Sequence, residues 1–149
     1  MNINIFGKKV TILGECWISE DEASVKKEEF YRNLNSVING IDYSRDIIMM
    51  GDFNGWIGNS SGSEFVSPYG EDKVNDNGER LIELCEQYSL RITNGFYQHK
   101  DIHTYTRYQE TLQQRSVIDY IIVEQKNMFE STRCQGFSRP KLWQWSFFG

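Results

Sequence analysis

Apolar and polar positions along the chain switch between the strand period and the helix period, and the order of those switches sets the expected fold. Val10 to Leu13 is a short β-branched and apolar run between Lys9 and Gly14, which predicts a strand. Phe30, Leu34, Val37 and Ile38 then recur at helical spacing until Gly40, and Ser19 with Glu22 ahead of them has the form of a capping box. Asp46 to Met50 is a nearly continuous apolar run, the pattern of a strand covered on both faces. From Gly55 to Asn77 the periodicity stops and Gly, Ser, Asn, Asp and Pro68 predict a long loop, a kind of segment that usually carries function. Asn77 is placed to cap a second helix in which Leu81, Leu84, Cys85 and Tyr88 share one face. Leu90 to Thr93, Thr104 to Tyr108 and Val117 to Val123 predict three further strands.

This order is mixed α/β, with a first crossover suited to parallel strand pairing. No internal repeat is present. A composition of 39% hydrophobic residues in 149, with 14% aromatics and two prolines, fits one packed domain rather than a linker. The last stretch, SRPKLWQWSFFG, crowds two Trp and two Phe into a segment unlike the rest, so residues 1–136 are read as the domain and 137–149 as an aberrant tail. A one-nucleotide shift across the codons of Leu142 to Gly149 can spell a Ser-Gly-His tripeptide, and the tail is read as a frame slip on that ground.

Charge changes the picture little. The net charge of -5 offers no basic footprint for counterion-driven nucleic-acid binding, yet a metal-dependent phosphoesterase can be acidic because its ligands are carboxylates. Cys16, Cys85 and Cys134 are far apart and odd in number, which argues against a disulfide framework or structural zinc and fits an intracellular setting, nuclear or cytoplasmic. The N-terminus lacks the form of a signal peptide, and no apolar run approaches the ~20 residues of a membrane span.

Two places can carry chemistry. Asp52 and Asn54 follow the apolar strand directly, and if the extended backbone persists they point to one face while Phe53 points to the core. A carboxylate and an amide so placed can take a proton from water and bond a phosphate oxygen; the alternative is a plain turn, since Gly, Asp and Asn all favour turns. Asp119 sits inside an apolar run, where a carboxylate needs a partner such as a histidine that it orients, unless the strand face is wet. His99 and His103 flank Lys100 and Asp101 in a loop, with no helix to align them for a metal. Asn75, Asn77 and Gly78 read as turn and helix cap, and Trp56 as a packed aromatic with base stacking as its functional alternative.

The segments DIIMMGDFNGWIGN, DNGERLIELCEQYSLRITNGFYQHKDIHTYT and RSVIDYIIV together resemble the endonuclease/exonuclease/phosphatase superfamily. The likeness is to its craniofacial development protein type and to the apurinic-like endonuclease domains of non-LTR retrotransposons, from about Lys9 to about Cys134. The resemblance implies a two-sheet α/β sandwich of the DNase I-like type, here partial, with early strands and the final strand missing. It implies Mg²⁺-assisted hydrolysis of a phosphodiester, with nucleic acid as the substrate. Asp52 would activate water, Asn54 would contact phosphate, Asp119 would orient a general histidine, and Ser116 would support the strand ahead of Asp119.

Three departures accompany it. The metal-binding glutamate and an asparagine of the family fall before Met1. Cys16 stands where the family has a phosphate-touching tyrosine, and a thiol is a weak donor. No histidine follows His103, although the family's catalytic one should follow Gly136. The expectation is a fragment of a retrotransposon-type nuclease, inactive as an isolated chain, with an open sheet edge suited to self-association. The alternative is an active Mg²⁺-dependent hydrolase of DNA completed by further sequence or a partner; a lipid or sugar phosphatase of the same superfamily is a third reading.

Overall fold

The computed structural model describes residues 1–14, 17–59, 63–66, 68, 70–94, 106–109 and 114–126. Nine elements follow in the order β1 (Asn2–Ile5), β2 (Lys8–Gly14), α1 (Ser24–Asn39), β3 (Asp46–Asp52), α2 (Asp76–Tyr88), β4 (Leu90–Ile92), β5 (Arg107–Gln109), β6 (Gln114–Ser116) and β7 (Asp119–Glu124). The expected mixed α/β class is what forms. Its main layer is a five-stranded sheet ordered β1-β2-β3-β7-β4, and β5 with β6 makes a separate two-stranded ribbon.

Around α1 the crossover expectation holds: β2 and β3 pair in parallel, Ile12 opposite Ile48. The sheet is otherwise antiparallel. β1, Asn2-Ile3-Asn4-Ile5, alternates polar and apolar residues over four positions, and the hairpin to β2 closes through Phe6 and Gly7, both with positive φ (49° and 83°). Those dihedrals are the two-residue turn whose twist matches paired strands. It leaves β1 as one edge of the sheet, with Ile5 40% exposed. The β4 edge is partly covered, because Ile92 N–H donates to Phe65 O (3.1 Å) and Arg91 Nε to Glu64 O (2.6 Å).

Period-two alternation along β3 turns Ile47 and Met49 to one side, where they join Tyr31 and Ile38 of α1, Leu81, Leu84 and Cys85 of α2, and Leu90, Ile92, Tyr120 and Ile122 in a single core. Both helices therefore cover the same face. The opposite face carries the half-buried Ile12, Ile48, Ile121 and Val123, and Met50 is 38% exposed. The expectation of a β3 covered on both faces is thus corrected among the described residues: a continuous apolar run does not by itself require two covering layers.

The expected caps shift. α1 starts at Ser24 after Ala23, which makes no side-chain cap bond; Glu22, expected in a capping box with Ser19, gives its carboxylate to Lys26 at 2.8 Å instead. The cap of α2 is Asn75 rather than Asn77: Asn75 Oδ1 accepts from Gly78 N–H at 2.9 Å. The same oxygen accepts from Trp56 N–H at 2.8 Å, so it ties the loop to the helix start. Asn75→Ala removes both bonds and is expected to cost about 1–2 kcal/mol in urea unfolding; an unchanged midpoint would show the cap to be dispensable. Residues 137–149, expected as an aberrant tail, and Cys16, Cys134, His99 and His103 lie outside the described residues.

Candidate active site

The sheet brings Asp52 and Asp119 together. Asp52 is the last residue of β3, Asp119 is the first of β7, and they are direct cross-strand partners. Phe53 N–H donates to Ile118 O at 2.7 Å. That bond makes the neighbouring Asp52/Asp119 pair the non-hydrogen-bonded kind, whose Cα atoms approach to about 4.5 Å and whose side chains leave the same face. Asp119 is exposed, because β7 begins there and its side chain faces away from the helices. Of the two alternatives for Asp119, the wet strand face is the one the described residues form. Like charges directly opposite on neighbouring strands are an unfavourable cross-strand pair.

Asn54 departs from the extended path. Its φ is +48°, a left-handed conformation that Asn tolerates, and its N–H donates to Asp52 Oδ1 at 2.9 Å. The strand-end and turn readings of this segment are therefore both partly right: extended through Asp52, then an Asx turn. One hydrogen of Asn54 Nδ2 goes to Trp17 O at 3.2 Å. Asn54 O accepts from Asn75 Nδ2 (3.3 Å) and Asn77 Nδ2 (3.4 Å), and Asn77 Nδ2 also reaches Ile18 O at 2.8 Å. Three asparagines thus lock the turn onto the start of α2. Gly78 permits this approach, since a Cβ there would lie 1.8 Å from Trp56 O.

The entry to β7 is held as firmly. Thr106 Oγ1 accepts from Ile118 N–H (3.1 Å) and Asp119 N–H (3.3 Å). The Glu71 carboxylate accepts from Val117 N–H, and burial raises its pKa despite that bond and nearby Lys73. Tyr120 Oη lies 2.6 Å from Val117 O and 2.9 Å from Gly55 O; burial pushes its phenol above the usual range, so it remains a donor. Ser116, at the end of β6, is 5% exposed, and its carbonyl accepts from Thr106 N–H at 3.0 Å. Cys85 is buried in the core with its thiol pushed up to about 12 by desolvation, which makes it inert.

Asn75, Asn77 and Gly78 were visible in the sequence as turn formers, but their grip on Asn54 was not. Thr106 and Glu71 carried no local signal, because each meets the site only through the tertiary fold. Among the described residues no group of three His, Cys, Asp or Glu side chains is gathered to hold a metal. No described helix is long and apolar enough to cross a membrane.

The GDFN and IDYIIV segments thus meet at one end of a mixed sheet, with Asp52 opposite Asp119. Over 97 residues the chain is 30% identical to craniofacial development protein 2 of Bos taurus, a match covering 65% of this chain and 16% of that protein. It is 28% identical over 97 residues to the protein of the same name from Tragulus javanicus, covering 65% of this chain and 17% of the relative. The chain is thus similar to the craniofacial development protein type and spans less than a fifth of those relatives. Among solved structures it is similar to the endonuclease domain of TRAS1, a telomere-specific non-LTR retrotransposon, with a TM-score of 0.49 and 16% identity over 87% of this chain and 50% of that one. No protein-family model matches.

Proposed function

We propose that this chain carries one edge of the active site of a metal-assisted phosphodiester hydrolase of the retrotransposon endonuclease type, and that alone it does not turn over nucleic acid. The observation that carries this reading is the opposed pair Asp52 and Asp119 beside the Asn54 turn. The donor set fits a hard divalent ion: Mg²⁺ is commonly held by one or two carboxylates, with water and substrate phosphate at its other positions. Asp119, with Asp52 beside it, would hold the ion, which when bound offsets charge developing on the phosphoryl oxygens.

In a completed site Asp52 would accept a proton from the attacking water as the water oxygen bonds to phosphorus and the bond to the leaving oxygen breaks. The second hydrogen of Asn54 Nδ2 is available to a phosphate oxygen. The leaving oxygen still needs a proton. In the resembled family a histidine serves there, and the sequence after His103 contains none; losing one member of a cooperating set costs orders of magnitude in rate.

The test is plasmid nicking with Mg²⁺ or a chelator, beside Mn²⁺ broadening of the Asp52 and Asp119 resonances. The expected result is no chelator-sensitive nicking but local broadening that Asp52→Ala abolishes. Nicking that needs Mg²⁺ and is lost in Asp52→Ala would establish the alternative, an active endonuclease. Absence of both nicking and broadening would sink the metal site altogether.

A further inference from the structure

β4 ends at Ile92, two residues before the chain reaches Asn94, yet the hydrogen bonding of β7 continues beyond that end. Extending the β4–β7 register from Ile92 opposite Ile122 places Thr93 opposite Ile121. Thr93 N–H and Oγ1 both donate to Ile121 O at 2.8 Å, as that register requires. The reciprocal bond is different. Ile121 N–H would donate to Thr93 O in a regular ladder, but it donates to Asn94 Oδ1 at 2.8 Å. Asp119 O, the next acceptor along that edge of β7, accepts from Asn94 Nδ2 at 3.0 Å. One side-chain amide therefore serves as acceptor for Ile121 N–H and as donor to Asp119 O on the edge of β7 that faces β4.

We propose that Asn94 is a positioning residue for Asp119. Its amide acts as a surrogate strand beyond the end of β4, holding the start of β7, and so keeps Asp119 opposite Asp52. β7 is then gripped on both edges at this point, by β3 through Phe53 N–H on one side and by Asn94 on the other. Asparagine is the residue that fits: aspartate offers no donor to Asp119 O, and alanine offers neither group. The role assigned to the pair rests on the hydrolase reading above, but the placement of Asp119 can be measured without it.

In a non-hydrogen-bonded antiparallel pair the two Hα atoms face each other, so Asp52 and Asp119 should share an Hα–Hα cross-peak in the NMR spectrum of the full chain, as should Ile48 and Val123 further along the same ladder. In Asn94→Ala the Asp52/Asp119 peak is expected to be lost and the Ile121 amide to exchange about tenfold faster, the effect of one lost hydrogen bond. The Ile48/Val123 peak should persist. Asn94→Asp, which keeps the acceptor, should restore Ile121 protection. An Asp52/Asp119 peak unchanged in Asn94→Ala overturns the inference, and so does simultaneous loss of both peaks, which would make Asn94 a general fold residue. Mn²⁺ broadening in the same samples reads the hydrolase proposal separately: a native chain that shows the cross-peak but no broadening retains the positioning role and loses the metal site.

Discussion

Phe53→Ala is expected to lower the free energy of unfolding by about 3–5 kcal/mol, the largest effect of any single truncation near the site. Phe53 is 1% exposed, its ring lies 4.2 Å from that of Trp17 at 31°, and Tyr120 sits 5.8 Å away on its other side. Removing it leaves a cavity among groups that cannot all close in, because Tyr120 is pinned by its hydroxyl to Val117 O and Gly55 O. The consequence reaches the chemistry. Phe53 stands between Asp52 and Asn54, so its burial anchors the backbone that carries both. Urea unfolding followed by tryptophan fluorescence measures the loss, and Phe53→Leu should recover most of it. A cost below about 1 kcal/mol would mean that the core does not depend on this ring.

The inward turn of Phe53 was legible in the sequence because an apolar residue between two polar ones at a strand end obeys the period of two. The left-handed conformation of Asn54 was not, since Asp, Asn and Gly suit an extended end and a turn almost equally. Leu81, Leu84 and Cys85 were legible as one helix face for the same kind of reason: a strong period over several turns leaves little choice. β1 and β6 were missed. Asn2-Ile3-Asn4-Ile5 does alternate, but over only four residues, a run too short to stand out, and Gln114, Arg115 and Ser116 contain no apolar residue, so there pairing replaces pattern as the cause. Asp119 was read as a mid-strand residue but is the first residue of β7, because the apolar run begins before the strand does. The clamp around it, Thr106, Glu71 and Asn94, depends on contacts between residues 12 to 46 positions apart, which no local window contains.

Lys27→Ala is expected to be the next most damaging change and the one with the clearest dependence on pH. Lys27 is 3% exposed and bridges Glu20 (3.2 Å) and Asp76 (3.0 Å). Glu20 in turn accepts from the N–H groups of Asp76 and Asn77, so this one ammonium group holds the α1 surface, the segment before it and the start of α2 together. The Asn77 side chain that grips Asn54 O hangs from this hub. Its loss is expected to cost about 2 kcal/mol, less than the ~3–5 of a fully buried pair, because the side chains of Glu20 and Asp76 keep 37% and 45% exposure and can rehydrate. The bond from Lys27, helped by Arg80, lowers the pKa of Asp76 against the opposing desolvation. That contribution is therefore complete above the ordinary aspartate value of about 3.9 and disappears as pH falls through the depressed folded value. For Lys27 itself desolvation lowers the pKa, but the bonds to Asp76 and Glu20 together outweigh it and the net shift is upward. Its contribution is complete below about 10.4 and fades as pH rises through the higher folded value. Urea midpoints of native chain and variant compared across pH should differ by a constant amount near neutrality and converge at both extremes. Lys27→Met, which keeps the aliphatic stem, should recover stability at the extremes more fully than at neutral pH. Parallel curves for native and variant at every pH would show that the burial of Lys27, and not its charge, holds α2 in place.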